Sequence, residues 1–486
     1  MPRPQLCATV TATTMAELLE RRDAVTGADM VELRLDGVVD LDVAAALAGR
    51  RLPVVATCRA ARQGGRFDGD EVTRVRVLEQ AWDLGAEFVD VESDAADGLV
   101  ARTRGRRIVR SHHDFSAGSD DAAGRLRQLL GSGAEVAKLA VTVDRLDALA
   151  DLAALGRAAD GRAIVLAMGD AGLASRVLAD RFAAPWTYAG DAVAPGQVPL
   201  SRMRDEFRVP DVTSSTRVFG VVGRPVGHSL SPAMHNAAFA SLGIDAVYLP
   251  LAAADFADFE RFAAAFAVEG VSVTAPYKRD ALTAAATADD RTRRVGAANT
   301  LRRTPAGWEA RNTDVDGVVV PLADRDLGGR RVAILGAGGA ARAVAVAMRA
   351  AGADTTVHAR RGPEAARLAA ELGITAGAWP PAGEWDVLVN TTPVGMGVTA
   401  GEVPIALDGP LAGRLVYDLI YAPRDTALLQ RARALGAATL DGLPMLAAQA
   451  AAQFTWWTGR PSPAALMQRA AAAAIAAPPL FAPGHV

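Results

Sequence analysis

Lys138 lies inside Val136-Ala-Lys-Leu-Ala140, an apolar run of strand-forming residues. Withdrawing an ammonium from water is costly, and desolvation favours the free amine. Such an amine can attack a ketone, form a Schiff base and create an electron sink. The rival reading is an edge-strand lysine reaching solvent, which the flanking Ala137, Leu139, Ala140 and Val141 disfavour. A different chemistry stands in the second half. Gly336-x-Gly338-x-x-Ala341 follows an apolar run and opens an Ala-rich helical stretch. Gly336 permits a tight turn, Gly338 lets backbone approach a pyrophosphate, and Ala341 is small enough for close helix–strand packing. The helix N-terminus then offers N–H donors to phosphate. The following strand ends His358-Ala-Arg360-Arg361, with no acidic residue for a ribose hydroxyl. Two guanidiniums suit a 2′-phosphate, so NADP is the expected cofactor; a solvated basic turn is the alternative.

These groups need rigid elements behind them. Eight short runs, apolar on both faces, lie near 6–10, 31–35, 54–58, 88–91, 108–111, 136–140, 164–167 and 186–188, with helix-length segments between. Eight such units in about 200 residues is the count of a TIM-type barrel; an open doubly wound sheet would lack a closing eighth strand. A Pro/Ser/Thr stretch at 209–217 reads as a linker between a barrel domain (1–208) and the rest of the chain. Strands near 218–222, 246–250 and 270–273 begin a second α/β block, 218–325. A βαβ start at 331–358 opens a Rossmann block, 326–442. The helical segment 443–475 returns to the second block, giving two lobes with a cleft, and 476–486 is a tail. The fold class is α/β throughout.

The bulk numbers agree. At 486 residues the chain exceeds one ordinary core, and with half its residues hydrophobic and 22% charged it is globular. A net charge of −3 gives no reason to expect nucleic acid or an anionic membrane as partner. Cys7 and Cys58 have no zinc or redox spacing, no metal is expected, and both read as core residues in a reducing compartment. No basic start followed by an apolar stretch marks a signal peptide, and nothing spans a bilayer, so a cytoplasmic location is expected. A homodimer is left open.

The second half resembles the shikimate dehydrogenase family from 218 to about 474. The matching stretches are Gly227-His-Ser-Leu-Ser-Pro232, Val273-Thr-Ala-Pro-Tyr-Lys278, Gly296-Ala-Ala-Asn-Thr300 and Asn312-Thr-Asp314. Asn390-Thr-Thr-Pro393, Tyr417-Asp-Leu-Ile-Tyr421 and Asp441-Gly-Leu-Pro-Met-Leu-Ala-Ala-Gln449 come next, in order. Ketone reduction needs a cofactor above one face and a proton donor at the carbonyl oxygen. The resemblance assigns that donor to Lys278, oriented by Asp314; whether Lys278 is the acid or mainly stabilises charge stays open. Ser229 and Ser231, two residues apart, can face one way and bind a carboxylate, with a helix cap before Pro232 as the alternative for one of them. Thr274, Asn299 and Gln449 resemble ring-hydroxyl ligands, and Tyr421 a cleft residue. Around the cofactor the resemblance adds Ala337, Gly339, Ala340, Thr391, Gly442 and Met445. Ser272 stands where the family usually has Asn, a change expected to weaken one contact.

The first half resembles type I 3-dehydroquinate dehydratase over about 5–205. Its motifs are Val31-Glu-Leu-Arg-Leu-Asp36, Thr57-Cys-Arg59, Phe88-Val-Asp-Val-Glu92, Ser111-His-His-Asp-Phe115, the Lys138 strand, Met168-Gly169 with Ser175-Arg176, and Ala194-Pro-Gly-Gln197. Most fall at the C-terminal ends of the expected strands, where barrel enzymes place chemistry. The resemblance makes Lys138 the Schiff-base lysine and His113, not its neighbour His112, the general base and acid. Arg176 would clamp a carboxylate, and Glu32, Arg34, Arg59 and Gln197 would serve as hydroxyl and loop contacts. Gln63 replaces the usual Glu beside the histidine and Val193 replaces Ser, so the expectation is a slower dehydratase rather than a dead one. Together the halves read as a Schiff-base dehydration whose product the second half reduces with NADPH; the alternative is an active dehydrogenase with a barrel weakened by Gln63.

Overall fold

A computed structural model describes residues 3–116, 121–190, 196–382, 384–477 and 480. The first eight strands are β1 (Gln5–Thr11), β2 (Met30–Arg34), β3 (Val54–Thr57), β4 (Phe88–Glu92), β5 (Ile108–Asp114), β6 (Val136–Thr142), β7 (Ala163–Met168) and β8 (Trp186–Ala189). All their pairings are parallel, in the order β7-β6-β5-β4-β3-β2-β1-β8. Because β8 pairs back onto β1, with Cys7 opposite Tyr188, the sheet curls into a near-closed barrel. Strand alternation explains the apolar runs read from the sequence. On β6, Ala137, Leu139 and Val141 face the outer helices, while Val136 and Ala140 join Ile164, Leu166 and Trp186 in the lumen. Lys138, between those two lumen residues, must point inward.

The middle lobe holds β9 (Arg217–Gly223), β10 (Ala246–Ala252), β11 (Val268–Val273), β12 (Ala285–Ala288), β13 (Thr300–Thr304) and β14 (Gly307–Arg311), in the order β10-β9-β11-β13-β14-β12. Its helical face is completed from far along the chain: Phe454 and Trp457 of the helix Leu443–Thr458 and Met467 of the helix Ala464–Ile475 share one apolar cluster with Phe219, Phe239 and Tyr248. Between these parts lie β15 (Arg331–Leu335), β16 (Asp354–His358), β17 (Thr375–Gly377), β18 (Val387–Asn390), β19 (Leu415–Asp418) and β20 (Ala438–Leu440). Their order, β17-β16-β15-β18-β19-β20, is that of a Rossmann sheet. It reverses direction at β15, which is where such sheets bind dinucleotides.

The segment 209–217 differs from the linker expected there. It is a packed strap, with Val209, Val212 and Thr216 buried. Arg181 Nη2 of the barrel donates to Thr216 O at 2.7 Å, and Ser214 N to Asp180 Oδ2 at 2.6 Å. Short polar residues read as loop in a sequence, but here their backbone groups find partners in the barrel. Barrel and middle lobe also share one hydrophobic cluster, in which Phe182 stacks on Phe266 at 6.0 Å between centroids. Asp258 of the lobe is fully buried and accepts from the barrel amides Leu146 N at 3.1 Å and Asp147 N at 2.8 Å. Asp258→Ala leaves those donors unmet and is expected to lower stability by about 2 kcal/mol. Calorimetry should show the barrel and lobe transitions moving down together; an unchanged melting profile contradicts the shared core.

Candidate active sites

The barrel site grows from alternate positions on neighbouring strands. Asp90 on β4, Ser111 and His113 on β5 and Lys138 on β6 all face the lumen, and the register sets Ser111 opposite Lys138. Lys138 Nζ lies 3.2 Å from Asp90 Oδ2 and 3.5 Å from Glu32 Oε1, and 4.1 Å from the centre of the Tyr188 ring. Its side chain is only 5% exposed. The lysine is therefore buried, as the apolar flanks predict, but it is ion-paired rather than walled by hydrocarbon. The polar partners come from other strands and were invisible in its own.

Asp90 is the hub. Its Oδ2 also accepts from Arg59 Nη2 at 2.7 Å, and its Oδ1 takes the Ser111 hydroxyl. Burial pushes the Asp90 carboxyl up, but the Arg59 and Lys138 charges outweigh it and hold it well below the usual carboxylate range. Glu32 is lowered in the same way, with Lys138, Arg34 and Arg59 opposing burial, and it accepts from Thr9 and Thr57 at 2.9 Å each. Gln197 Nε2 reaches Thr9 Oγ1 at 3.0 Å and so joins the same rim.

Arg59 Nη1 lies 3.0 Å from His113 Nδ1. A guanidinium has no acceptor, so Nδ1 must accept and the neutral ring carries its proton on Nε2. Burial first, then the Arg59 and Lys138 charges, hold His113 well below the ordinary histidine range. His112, on the opposite face of β5, pairs with Ser93 Oγ at 3.0 Å, and only His113 lines the cavity. Gln63 does not hold the imidazole. Its Oε1 accepts the His113 backbone N–H at 3.0 Å, so it steadies the strand while Arg59 sets the ring.

Arg176 is 3% exposed, its Nε has no partner, and burial pushes its guanidinium down to about 10. It lines the same cavity as Lys138 and His113, so a cation without a carboxylate partner among the described residues faces the space a ligand would fill. Arg34 is less available than the sequence suggested: it grips Asp36 at 2.9 and 2.8 Å. Val193, Ala194 and Pro195 lie outside the described residues. Asp90, Ser111 and Tyr188 were missed in the sequence; period-two polarity in Phe88-Val-Asp-Val-Glu92 was the available signal for Asp90.

In the second half Lys278 and Asp314 each begin a helix, Lys278–Ala284 and Asp314–Val319, and Nζ meets Oδ2 at 2.6 Å. Asn299 Nδ2 donates to Asp314 Oδ1 at 2.8 Å and lies 3.3 Å from Gln449 Oε1, bringing four expected residues together. Ser229 Oγ accepts Ser231 N at 3.3 Å in the turn ahead of the helix; the N-cap position is Leu230, without a side-chain cap, and Ser231 opens the helix, 5% exposed. Thr274 comes directly after β11, and Tyr421 is half-buried, its phenol pushed up by burial. No hydrogen bond or ion pair joins these last four to the Lys278–Asp314 pair among the described residues.

The glycine turn fits a dinucleotide. Gly336 has φ of 108°, and a Cβ there would come within 2.7 Å of Thr391 Oγ1. Thr391 in turn bonds Leu335 O at 2.6 Å. Nothing lies near a Cβ on Gly338, while one on Gly339 would stand 3.8 Å from Lys278 Cδ, so the open helix start adjoins the lysine. Ala337 and Ala340 are half-buried beside it and Ala341 packs into the core. Arg360 and Arg361 are exposed after β16, but Arg361 pairs with Glu364 at 2.9 Å, which leaves Arg360 the freer cation for a phosphate. Gly442 and Met445 have packing reasons of their own: a Cβ on Gly442 would collide with Leu419 O, and Met445 sits in the Rossmann-side core.

A chloroplastic bifunctional 3-dehydroquinate dehydratase/shikimate dehydrogenase of Arabidopsis thaliana is 32% identical over 474 residues, 90% of this chain and 79% of that protein. The chain belongs to this bifunctional family. The type I 3-dehydroquinase profile matches residues 6–213 of this bifunctional chain, the shikimate dehydrogenase substrate binding domain 221–301, and the shikimate 5'-dehydrogenase C-terminal domain 442–472. The NADP(+) shikimate dehydrogenase of Anaeromyxobacter sp. (strain Fw109-5) is 42% identical over 55% of this chain and 98% of its own. A shikimate 5-dehydrogenase of Thermus thermophilus, solved with NADP(H) and shikimate, is 36% identical and covers 53% of this chain and 99% of that one, at a TM-score of 0.48.

The depressed His113 sets a pH test for the dehydratase. A folded ring that resists protonation stays neutral as pH falls through about 6.5, where an unperturbed histidine is half charged. Turnover should therefore hold through that range, whereas a decline centred at or above about 6.5 contradicts the burial account. The sign for stability is the converse: acid below about 6.5 favours the unfolded chain, whose His113 is free to charge.

Proposed function

We propose that the barrel, 1–208, dehydrates 3-dehydroquinate through Lys138, and that the lobes 218–325 (completed by 443–475) and 326–442 reduce the resulting 3-dehydroshikimate through Lys278 and Asp314. The observation that carries the reading is one cavity holding a buried amine, a neutral imidazole and a guanidinium without a carboxylate partner among the described residues. Arg176 receives the substrate carboxylate. Lys138 Nζ attacks the ketone carbon, and the two protons it gives up end on the ketone oxygen, which leaves the carbinolamine as water to give an iminium. Asp90 and Glu32 then stabilise that cation as they did the ammonium. His113 accepts a proton from the carbon next to the iminium, and the C–H electron pair flows into it as an enamine. The lone pair that takes this proton is at Nδ1, so Arg59 must move off it. The enamine expels the ring hydroxyl, which leaves as water with the proton returned by the imidazolium. Hydrolysis of the remaining imine frees Lys138.

In the cleft, Ser231 and the remaining O–H of Ser229 hold the carboxylate, and Thr274, Asn299 and Gln449 hold ring hydroxyls. Residues 336–341 would hold NADPH, with Arg360 and Arg361 available to a 2′-phosphate, and the cofactor would supply the hydride. Lys278 stands by the carbonyl oxygen and donates to it as negative charge develops, while Asp314 keeps the ammonium aimed. Both cysteines are unpaired and buried, which supports a reducing, cytoplasmic setting, and no helix among the described residues is long and apolar enough to cross a membrane.

A coupled assay separates the two steps. Supplied with 3-dehydroquinate and NADPH, Lys138→Ala should lose NADPH consumption by about 10³-fold or more, as expected when a covalent nucleophile is removed. The same variant should oxidise NADPH normally when given 3-dehydroshikimate, and Lys278→Ala should fail with both substrates. NADPH consumption from 3-dehydroquinate that survives in Lys138→Ala sinks the two-step reading.

A further inference from the structure

A run of buried hydrogen bonds ends on Asp314 and begins far from the reacting atoms. Tyr248 Oη donates to Ser272 Oγ at 2.6 Å, and Ser272 Oγ to Gln453 Oε1 at 2.8 Å. Gln453 Nε2 donates to Thr300 Oγ1 at 3.0 Å, and Thr300 Oγ1 to Asn299 Oδ1 at 2.8 Å. Asn299 Nδ2 completes the run at Asp314 Oδ1, 2.8 Å away, with Lys278 on the other carboxylate oxygen. Tyr248, Gln453 and Thr300 are fully buried, and Ser272 and Asn299 nearly so. In that environment each bond is strong and an unmet group is costly.

Two backbone groups fix the direction of the whole chain. Thr313 N can only donate, and it reaches Asn299 Oδ1 at 2.7 Å, which identifies that atom as the amide oxygen. Asn299 O can only accept, and it faces Gln453 Nε2 at 3.4 Å, which orients the second amide. Ser272 must then give its proton to Gln453 and take one from Tyr248, whose phenol burial keeps protonated by pushing it up. Every donor points toward Asp314. The serine at 272 is thus a link rather than a lost contact: its oxygen spans the gap between the tyrosine and the glutamine.

We propose that Tyr248, Ser272 and Gln453 are positioning residues of the dehydrogenase, a one-way chain that sets Asn299 and, through it, holds Asp314 against Lys278. The proposal rests on the assignment of Lys278 and Asp314 made above. None of the three hydrogen-bonds to Lys278 or Asp314 among the described residues, so their effect passes through Asn299. Loss of one link leaves buried groups unmet and lets the Asp314 carboxylate rotate away from the ammonium it aims.

The test measures 3-dehydroshikimate reduction by the full chain, with the dehydratase turnover of the same molecule as the folding control. Tyr248→Phe and Ser272→Ala should each lower kcat by about 3–10-fold, with any rise in KM smaller than the fall in kcat, because the chain ends on the carboxylate that aims Lys278. The double variant should be no worse than the more damaged single one, because both cut the same chain. Ser272→Thr, which keeps the hydroxyl, should restore most of kcat. Unchanged kcat in Tyr248→Phe and Ser272→Ala, a rise in KM alone, or additive losses in the double variant would overturn the proposal. Tyr248→Phe removes one hydroxyl and almost no volume, so it decides the matter where Ser272→Ala lowers dehydratase turnover as well. Activity surviving in Lys278→Ala would instead overturn the underlying site assignment; its loss, beside undisturbed Tyr248→Phe and Ser272→Ala, would overturn the chain alone.

Discussion

Inside the barrel two carboxylates and two cations have been taken out of water together. Glu32 and Asp90 face Lys138 and Arg59, and none of the four has enough solvent contact to be stabilised from outside. Ions buried this way are tolerated only as a paired set, since removing one partner strands another. On the proposed mechanism the arrangement survives the chemistry because an iminium carries the same charge as the ammonium it replaces, and Asp90 would serve both states without moving. Asp90 also ties the lysine to Arg59 and thereby to His113, so the proposed nucleophile and proton acceptor share one anchor.

The second site solves a related problem with less burial. Lys278 retains 24% side-chain exposure and Asp314 11%, in keeping with a cleft that a cofactor must enter. Order comes from behind the pair, through Asn299, rather than from a closed wall around it. The turn at Gly339 stands close enough to Lys278 that a bound dinucleotide would finish the enclosure. Between the two sites, the barrel and the middle lobe share apolar packing and the Asp258 bridge, which fixes one relative to the other.

Much of this was legible in the chain. Eight short apolar runs with helix-length segments between them announce a barrel, and a lysine in one of them is conspicuous because nothing local explains it. The Gly336 turn is legible because its strand and helix flank it directly. His113 over His112 came only with the family resemblance, and the structure supplies the reason, since Ser111 and His113 share the lumen face. What stayed hidden were groups whose meaning depends on a distant partner. Asp90 is 48 positions from Lys138, and its value appears only when four strands have closed in register. Gln63 read as a ring partner, yet its amide meets backbone because the short helix Ala61–Gln63 brings it in alongside β5. The strap at 209–217 read as linker because polar side chains conceal how much of the backbone is bonded.

The central claim is that the Lys138 amine becomes covalently joined to the substrate. Incubating the full chain with 3-dehydroquinate, reducing with borohydride and mapping peptides by mass spectrometry tests it most directly. The account predicts a single reduced adduct on the peptide containing Lys138, lost when the substrate is omitted. An adduct on another lysine, or a fully active enzyme that yields none, would contradict it.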